Sequence, residues 1–180
     1  IFKKLISISK KYSFKKNELY ASHQVEKYNN FINSTLNINS QAGKLKLYNN
    51  LKIPEIKNKP IIGINPGSSY GSSKRWYPDR FAESAASFSD NYDIVIFGGD
   101  NEVNIAFDIE KLLISKGVVN FLNLAGKTSV QELVSYISNL DFFVTGDSGP
   151  MHIAASFGIP TVSLFGPTRD YETSQWLNPS

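Results

Sequence analysis

The sequence predicts an α/β protein with a parallel, doubly wound sheet. Three observations carry that expectation. Five short apolar segments, IIGIN (61–65), DIVIF (93–97), VVNFLN (118–123), DFFVT (141–145) and TVSLF (161–165), are too continuously apolar to have a wet face. Helical patterns separate them, as strand–helix alternation requires. Glycines, hydroxyls and charges crowd the turns that follow the strands, whereas the opposite turns, such as SFSDNY and ISKG, lack them. In an open parallel sheet the turns after the strands share the carboxyl edge, where ligands bind.

The helices can be placed by their signals. Pro78 at a first turn, with Phe81, Ala82, Ala85 and Phe88 at helical spacing, predicts a helix over 78–89. Asp100 or Asn101 can cap the next, whose stripe is Ile105, Ala106, Ile109, Leu112 and Leu113 and whose stop is Gly117. Ser129-Val-Gln-Glu132 is a capping box ahead of Val130, Leu133, Val134 and Ile137. A short helix runs from about Pro150 to Gly158. Ahead of the sheet, Ala21, Val25, Tyr28 and Ile32, with Phe31 beside them, predict a helix over about 18–36. Residues 1–17 read as a strand and turn or as the edge of a further domain. Residues 37–60, rich in Asn and Lys and punctuated by Gly43, Pro54 and Pro60, read as a connector. The expected division is therefore 1–60, a remnant of a preceding domain plus connector, and 61–180, the sheet domain. The chain begins at Ile1 and ends at Ser180, and reads as a piece of a longer one.

Composition removes several function classes. The 180 residues contain no cysteine and only two histidines, His23 and His152, so a thiolate or multi-histidine metal site is not expected. No apolar run approaches the ~20 residues of a membrane-spanning helix. The net charge of +3 is uneven: residues 1–59 hold 12 Lys and 3 Glu, residues 60–180 hold 7 Lys+Arg and 13 Asp+Glu. A basic front segment suits an anionic partner or membrane surface, or equally a solvated lysine-rich face.

Two loops have anion-binding chemistry. In NPGSSYGSSKRW (65–76), Gly67 and Gly71 permit close backbone approach, Ser68, Ser69, Ser72 and Ser73 offer hydroxyls, and Lys74 adds a point charge. The alternative is a plain flexible Gly/Ser loop. GDSGPMH (146–152) runs straight into a helix, whose free N–H groups and dipole favour an anion such as a pyrophosphate. There Asp147 can accept from sugar hydroxyls or merely cap, and His152 can reach a phosphate or sit satisfied in the core. AGKTS (125–129) imitates the end of a P-loop, but position 121 is Phe where that motif needs Gly. No G-x-G-x-x-G follows any strand, and no D-x-D pair suggests a metal holding a diphosphate.

Taken together, NPGSSYGSSKRW (65–76), GGDNE (98–102), LAGKTSVQEL (124–133), GDSGPMHIAA (146–155) and PTVSLFGPT (160–168) resemble glycosyltransferase family 9, the ADP-heptose:lipopolysaccharide heptosyltransferases. The likeness is collinear over about residues 20–170. It implies a GT-B architecture, two Rossmann-like domains across a cleft, with residues 61–180 as the nucleotide-sugar-binding half. It implies that Ser68, Ser69 and Lys74 meet the donor diphosphate, that Glu102 binds the adenosine ribose, and that Thr128 lies near the adenine. Asp147, Ser148, Gly149, Pro150, Met151 and His152 would hold the sugar and phosphates. Lys74 would also stabilise the leaving ADP, while the catalytic base would lie outside this chain, leaving the chain alone inactive. The implied reaction is inverting and metal-independent, needs no cofactor, and passes heptose from ADP-heptose to the lipopolysaccharide inner core. The setting would be cytoplasmic, with peripheral contact at the inner face of the inner membrane as an option and no nucleic-acid partner. A non-catalytic nucleotide-sugar-binding module, or a member using another donor, fits the same residues.

Overall fold

The five apolar segments pair side by side in a computed structural model of the chain, which describes residues 12–14, 22–53, 59–67 and 75–178. The strands are β1 (Ile61–Asn65), β2 (Asp93–Ile96), β3 (Phe121–Asn123), β4 (Phe142–Gly146) and β5 (Thr161–Leu164). All pairings are parallel, in the order β3-β2-β1-β4-β5. Helices α2 (Pro78–Phe88), α3 (Val103–Ser115), α4 (Val130–Ser138) and α5 (Gly149–Phe157) make the crossovers, and α6 (Asp170–Thr173) follows β5. The expected fold class is thus the observed one.

Side-chain alternation explains why the strands are apolar throughout. Ile62 and Ile64 of β1, with Ile94 and Ile96 of β2, pack with Phe81, Ala85, Ala106, Ile109 and Leu113 of α2 and α3. Their neighbours Ile61, Val95, Phe97 and Phe143 pack with Ile137 and Ala154 of α4 and α5. Each of the Ile, Leu, Val and Phe side chains among them, removed from water, contributes roughly 1.5–3 kcal/mol. Gly63 leaves room on the second face. A Cβ there would stand 2.5 Å from Leu140 Cδ1 and 2.8 Å from Phe143 Cδ2.

The edge opposite the ligand turns is tied by carboxylates. Ile61 N–H donates to Asp141 Oδ2 at 2.8 Å, and Lys59 N–H donates to Asp93 Oδ2 at 3.2 Å. This is why Asp141, expected as the first residue of a strand, instead stands just before β4. The third strand is shorter than its apolar run, because the Val118 N–H is taken by the Leu113 carbonyl at 3.0 Å and only 121–123 join the sheet. Neither Asp100 nor Asn101 caps α3. Residues Asp100–Glu102 form a 3-10 turn, and the Glu102 carboxylate accepts the Gly99 N–H at 2.9 Å, so α3 begins at Val103. The stops fall where expected: Gly158 adopts φ 70°, the left-handed conformation that ends α5.

The chain divides into two compact units, Ile1–Gly43 and Lys44–Ser180. In the first, α1 (Gln24–Leu36) starts later than its apolar pattern suggests. His23 explains this: its Nδ1 accepts the Val25 N–H at 3.2 Å while Glu26 accepts the His23 N–H at 3.3 Å, a reciprocal cap. Ala21 and the readings of residues 1–11 and 15–17 lie outside the described residues. Phe14 packs edge-on against Tyr28 and Phe31, at 5.0 and 5.5 Å between centroids. In the second unit, the connector residues 44–53 lie against α4. The Ser135 hydroxyl, fully buried, sits 3.0 Å from Asn49 Oδ1 and 3.2 Å from the Leu51 carbonyl. No helix among the described residues is long and apolar enough to cross a membrane.

Candidate functional site

The sheet reverses its winding between β1 and β4: the chain runs outward from β1 to β3, then returns to the other side of β1. Turns diverge at that point and leave a crevice. A cleft of about 270 Å³ opens there, lined by Asn65 and Gly67 after β1 and by Gly98, Gly99 and Glu102 after β2. Thr128, Ser129, Val130 and Leu133 at the start of α4, and Ser148, Gly149 and Pro150 at the start of α5, complete the wall.

Asn65 pins the floor. It is 3% exposed, and its Nδ2 donates to Thr145 Oγ1 and to Ser148 Oγ, both at 3.1 Å. The Thr145 and Ser148 hydroxyls donate in turn to the Gly146 carbonyl at 3.0 and 3.2 Å. This network fixes the residue that precedes α5, so the first turn of that helix is aimed into the cleft. Pro150 there has no N–H to leave unpaired.

Glu102 is the buried charge of the site, 9% exposed. Its Oε2 holds the Gly99 N–H, and its Oε1 lies 3.4 Å from Nη2 of Arg75. Backbone without side chains surrounds it: a Cβ on Gly67 would stand 2.4 Å from its Cγ, and one on Gly98 2.9 Å from its Cβ. Glycine at these positions is what lets a carboxylate sit on the floor of the turn. At the far wall, Ser129 caps α4 and exchanges hydrogen bonds with Glu132. The Ser129 N–H and hydroxyl lower the Glu132 carboxyl below the usual carboxylate range.

Several of the expected site residues come together here. Glu102, Thr128, Ser148, Gly149 and Pro150 line one cleft although they come from three different turns. Asp147, Met151 and His152 share the same edge without lining it: Asp147 gives its N–H to the Leu164 carbonyl at 3.2 Å, His152 is half-buried, and Met151 is fully buried in the core. Ser68, Ser69 and Lys74, with Gly71, Ser72 and Ser73, lie outside the described residues. The P-loop mimic is a turn: Gly126 has φ 69°, and the Lys127 ammonium is spent on the Asn123 carbonyl at 2.9 Å. Sequence reasoning passed over Asn65 and Arg75. The signal for Asn65 is a lone amide ending an otherwise apolar strand; Arg75 has none beyond its place in the loop.

Residues 4–179 match the family model of glycosyltransferase family 9 (heptosyltransferase). The chain belongs to glycosyltransferase family 9. Among its relatives, lipooligosaccharide heptosyltransferase 2 of Campylobacter jejuni serotype O:2 is 40% identical over 179 residues, covering 97% of this chain and 56% of the relative. Lipopolysaccharide heptosyltransferase 2 of Escherichia coli K12 is 36% identical over 111 residues, 61% of this chain and 32% of the relative. The solved structure of E. coli ADP-heptose lps heptosyltransferase II superposes with a TM-score of 0.62 at 35% identity, over 65% of this chain and 36% of that one. A glycosyltransferase family 9 structure from Veillonella parvula, 23% identical, shares the fold with a TM-score of 0.74 over 89% of this chain and 49% of that one. This glycosyltransferase family 9 chain therefore spans about half the length of that Campylobacter relative. The resemblance read from the five motifs is borne out.

Proposed function

We propose that this family 9 chain is the donor-binding part of an enzyme that transfers heptose from ADP-heptose to the inner core of lipopolysaccharide. The observation that carries the reading is the cleft at the strand-order reversal, where a glycine-walled carboxylate, Glu102, faces the space shared with the start of α5. A carboxylate is a pure acceptor and suits the two hydroxyls of a ribose. The first turn of α5 suits a diphosphate. Val130, Leu133 and Pro150 give the apolar wall that a base needs. The similarity to E. coli ADP-heptose lps heptosyltransferase II supports the same donor.

In this reading Glu102 takes the ribose, Thr128 the neighbourhood of the adenine, and Ser68, Ser69 and Lys74 the diphosphate. Of residues Asp147 to His152, Ser148, Gly149 and Pro150 meet the sugar and its phosphate directly, while Met151 anchors the first turn of α5 in the core. The acceptor hydroxyl attacks the anomeric carbon as the bond to the diphosphate oxygen breaks, with inversion. The hydroxyl proton passes to a base, and ADP departs with the bonding pair. Lys74 and the α5 N–H groups offset the charge that grows on the leaving diphosphate without a metal. The basic segment 1–59 suits an anionic membrane surface on the cytoplasmic side, where the acceptor would be met.

Calorimetry on the full-length protein with ADP-heptose, ADP and UDP-sugars tests the reading. Binding of ADP-heptose and ADP, with UDP-sugars at least tenfold weaker, is the expected result. Preference for a UDP-sugar overturns the donor, and no binding of any nucleotide overturns the site.

A further inference from the structure

Glu102 is doubly held, and the second holder has no role in the reading above. Gly99 N–H reaches Oε2 at 2.9 Å, and Arg75 Nη2 reaches Oε1 at 3.4 Å. The two come from different turns, one after β2 and one from the end of the 65–76 loop, so the carboxylate is fixed from both sides. The Glu102 side chain is 11% exposed and that of Arg75 29%, which makes this the most buried ion pair among those described with an arginine on the cleft side of the sheet.

We propose that Arg75 is a positioning residue that orients Glu102 for a ribose cis-diol and so sets the preference for ribonucleotides. The inference rests on the nucleotide reading of the cleft. An ionised carboxylate has about four acceptor sites. Gly99 and Arg75 occupy two, leaving two for a ligand, the number a vicinal diol supplies. The close approach of Gly67 leaves the Glu102 stem little room to turn, so the plane of the carboxylate depends on its end contacts. Gly99 alone fixes one oxygen and leaves rotation about it; Arg75 removes that freedom. The guanidinium also cancels a negative charge that would otherwise repel a diphosphate in the same cleft. Arg75 is itself no ligand to the nucleotide here, and acts through Glu102.

The test is calorimetry of ADP, 2′-deoxy-ADP and 3′-deoxy-ADP on full-length wild type, Arg75→Gln and Arg75→Lys, with thermal melting without ligand as the fold control. Wild type is expected to favour ADP over each deoxy analogue by on the order of tenfold or more, the worth of a hydrogen bond to a charged acceptor. Arg75→Gln is expected to bring that ratio to within about threefold. Arg75→Lys keeps the charge without the planar fork, and is expected to recover ADP affinity more than the ratio. Should Arg75→Gln fail to fold, Arg75→Lys decides by its ratio alone. An unchanged ratio in the folded variants overturns the proposal, even where all three nucleotides bind more weakly. Equal binding of the three nucleotides by wild type overturns it through Glu102 while leaving a nucleotide site intact. No binding of ADP by wild type overturns the nucleotide reading and this inference with it.

Discussion

Gly67 stands so close to Glu102 that the smallest side chain would meet it. A Cβ placed 2.4 Å from Glu102 Cγ must push the carboxylate out of its hold on Gly99 or move the turn. Gly67→Ala is thus expected to weaken ADP binding by tenfold or more while lowering thermal stability only modestly, because the displaced group is a turn residue and not core. Calorimetry beside a melting curve separates the two; unchanged ADP affinity would free Glu102 from its role. Lys74 calls for a kinetic measurement. Loss of its charge in Lys74→Ala is expected to cost about a hundredfold in turnover, about 3 kcal/mol at the transition state, in a protein that stays folded. Unchanged turnover would remove it from the site. At this scale the sequence was readable where chemistry is unusual for its place: an acid after two glycines, or a Ser-Gly-Pro run entering a helix. Asn65 and Arg75 were not readable, because their meaning lies in partners far along the chain. Asn65 acts on Thr145 and Ser148, and nothing local says that the first strand lies beside the fourth.

Helix α4 shows what a local signal can and cannot specify. Its capping box was legible as Ser129 and Glu132, and the helix starts where the box puts it. Removing the hydroxyl in Ser129→Ala is expected to cost about 1 kcal/mol of stability near neutral pH. The pH dependence follows from the lowered Glu132 carboxyl, held down first by the Ser129 N–H and then by its hydroxyl. A depressed acid stabilises above its unfolded pKa and loses that contribution as pH falls through its folded value. The gap between wild type and Ser129→Ala should therefore be full at pH 7 and narrower in acid, once the pH has fallen through the lowered Glu132 value and the carboxyl is protonated in both states. Urea titrations at pH 7 and in acid check this; a gap that widens on acidification would contradict it. The boundaries that slipped have equally local causes. The third strand is shorter than its apolar run, whose first N–H, that of Val118, goes to the Leu113 carbonyl, and α3 lost its first turn to a 3-10 turn that delivers Glu102 to the cleft. Both depend on hydrogen bonds that hydrophobic periodicity does not encode.

Across the whole molecule, the alternation of apolar strands and helices was enough to predict the layers, since a strand buried on both faces admits few arrangements. It did not say where residues 44–53 would go; they lie along α4 through Asn49 and Leu51. The central pairing of β1 with β4 sets Asn65 opposite Thr145, 80 residues apart, while β1 with β2 joins segments much closer in the chain. Loop closure over that span must be met before the contacts that reward it exist. The β1–β2–β3 half can therefore assemble early, but the cleft cannot, because its floor is the seam between β1 and β4. In refolding from urea, ADP-binding competence is expected to appear only with the slowest folding phase, after most helical signal has returned. A double-jump experiment reading circular dichroism and ADP binding in parallel would show it, and binding that recovers with the first phase would contradict it. The order in which the strands lie thus makes the binding site the last part of the chain to mature, and a ligand that fits it a reporter of completed folding.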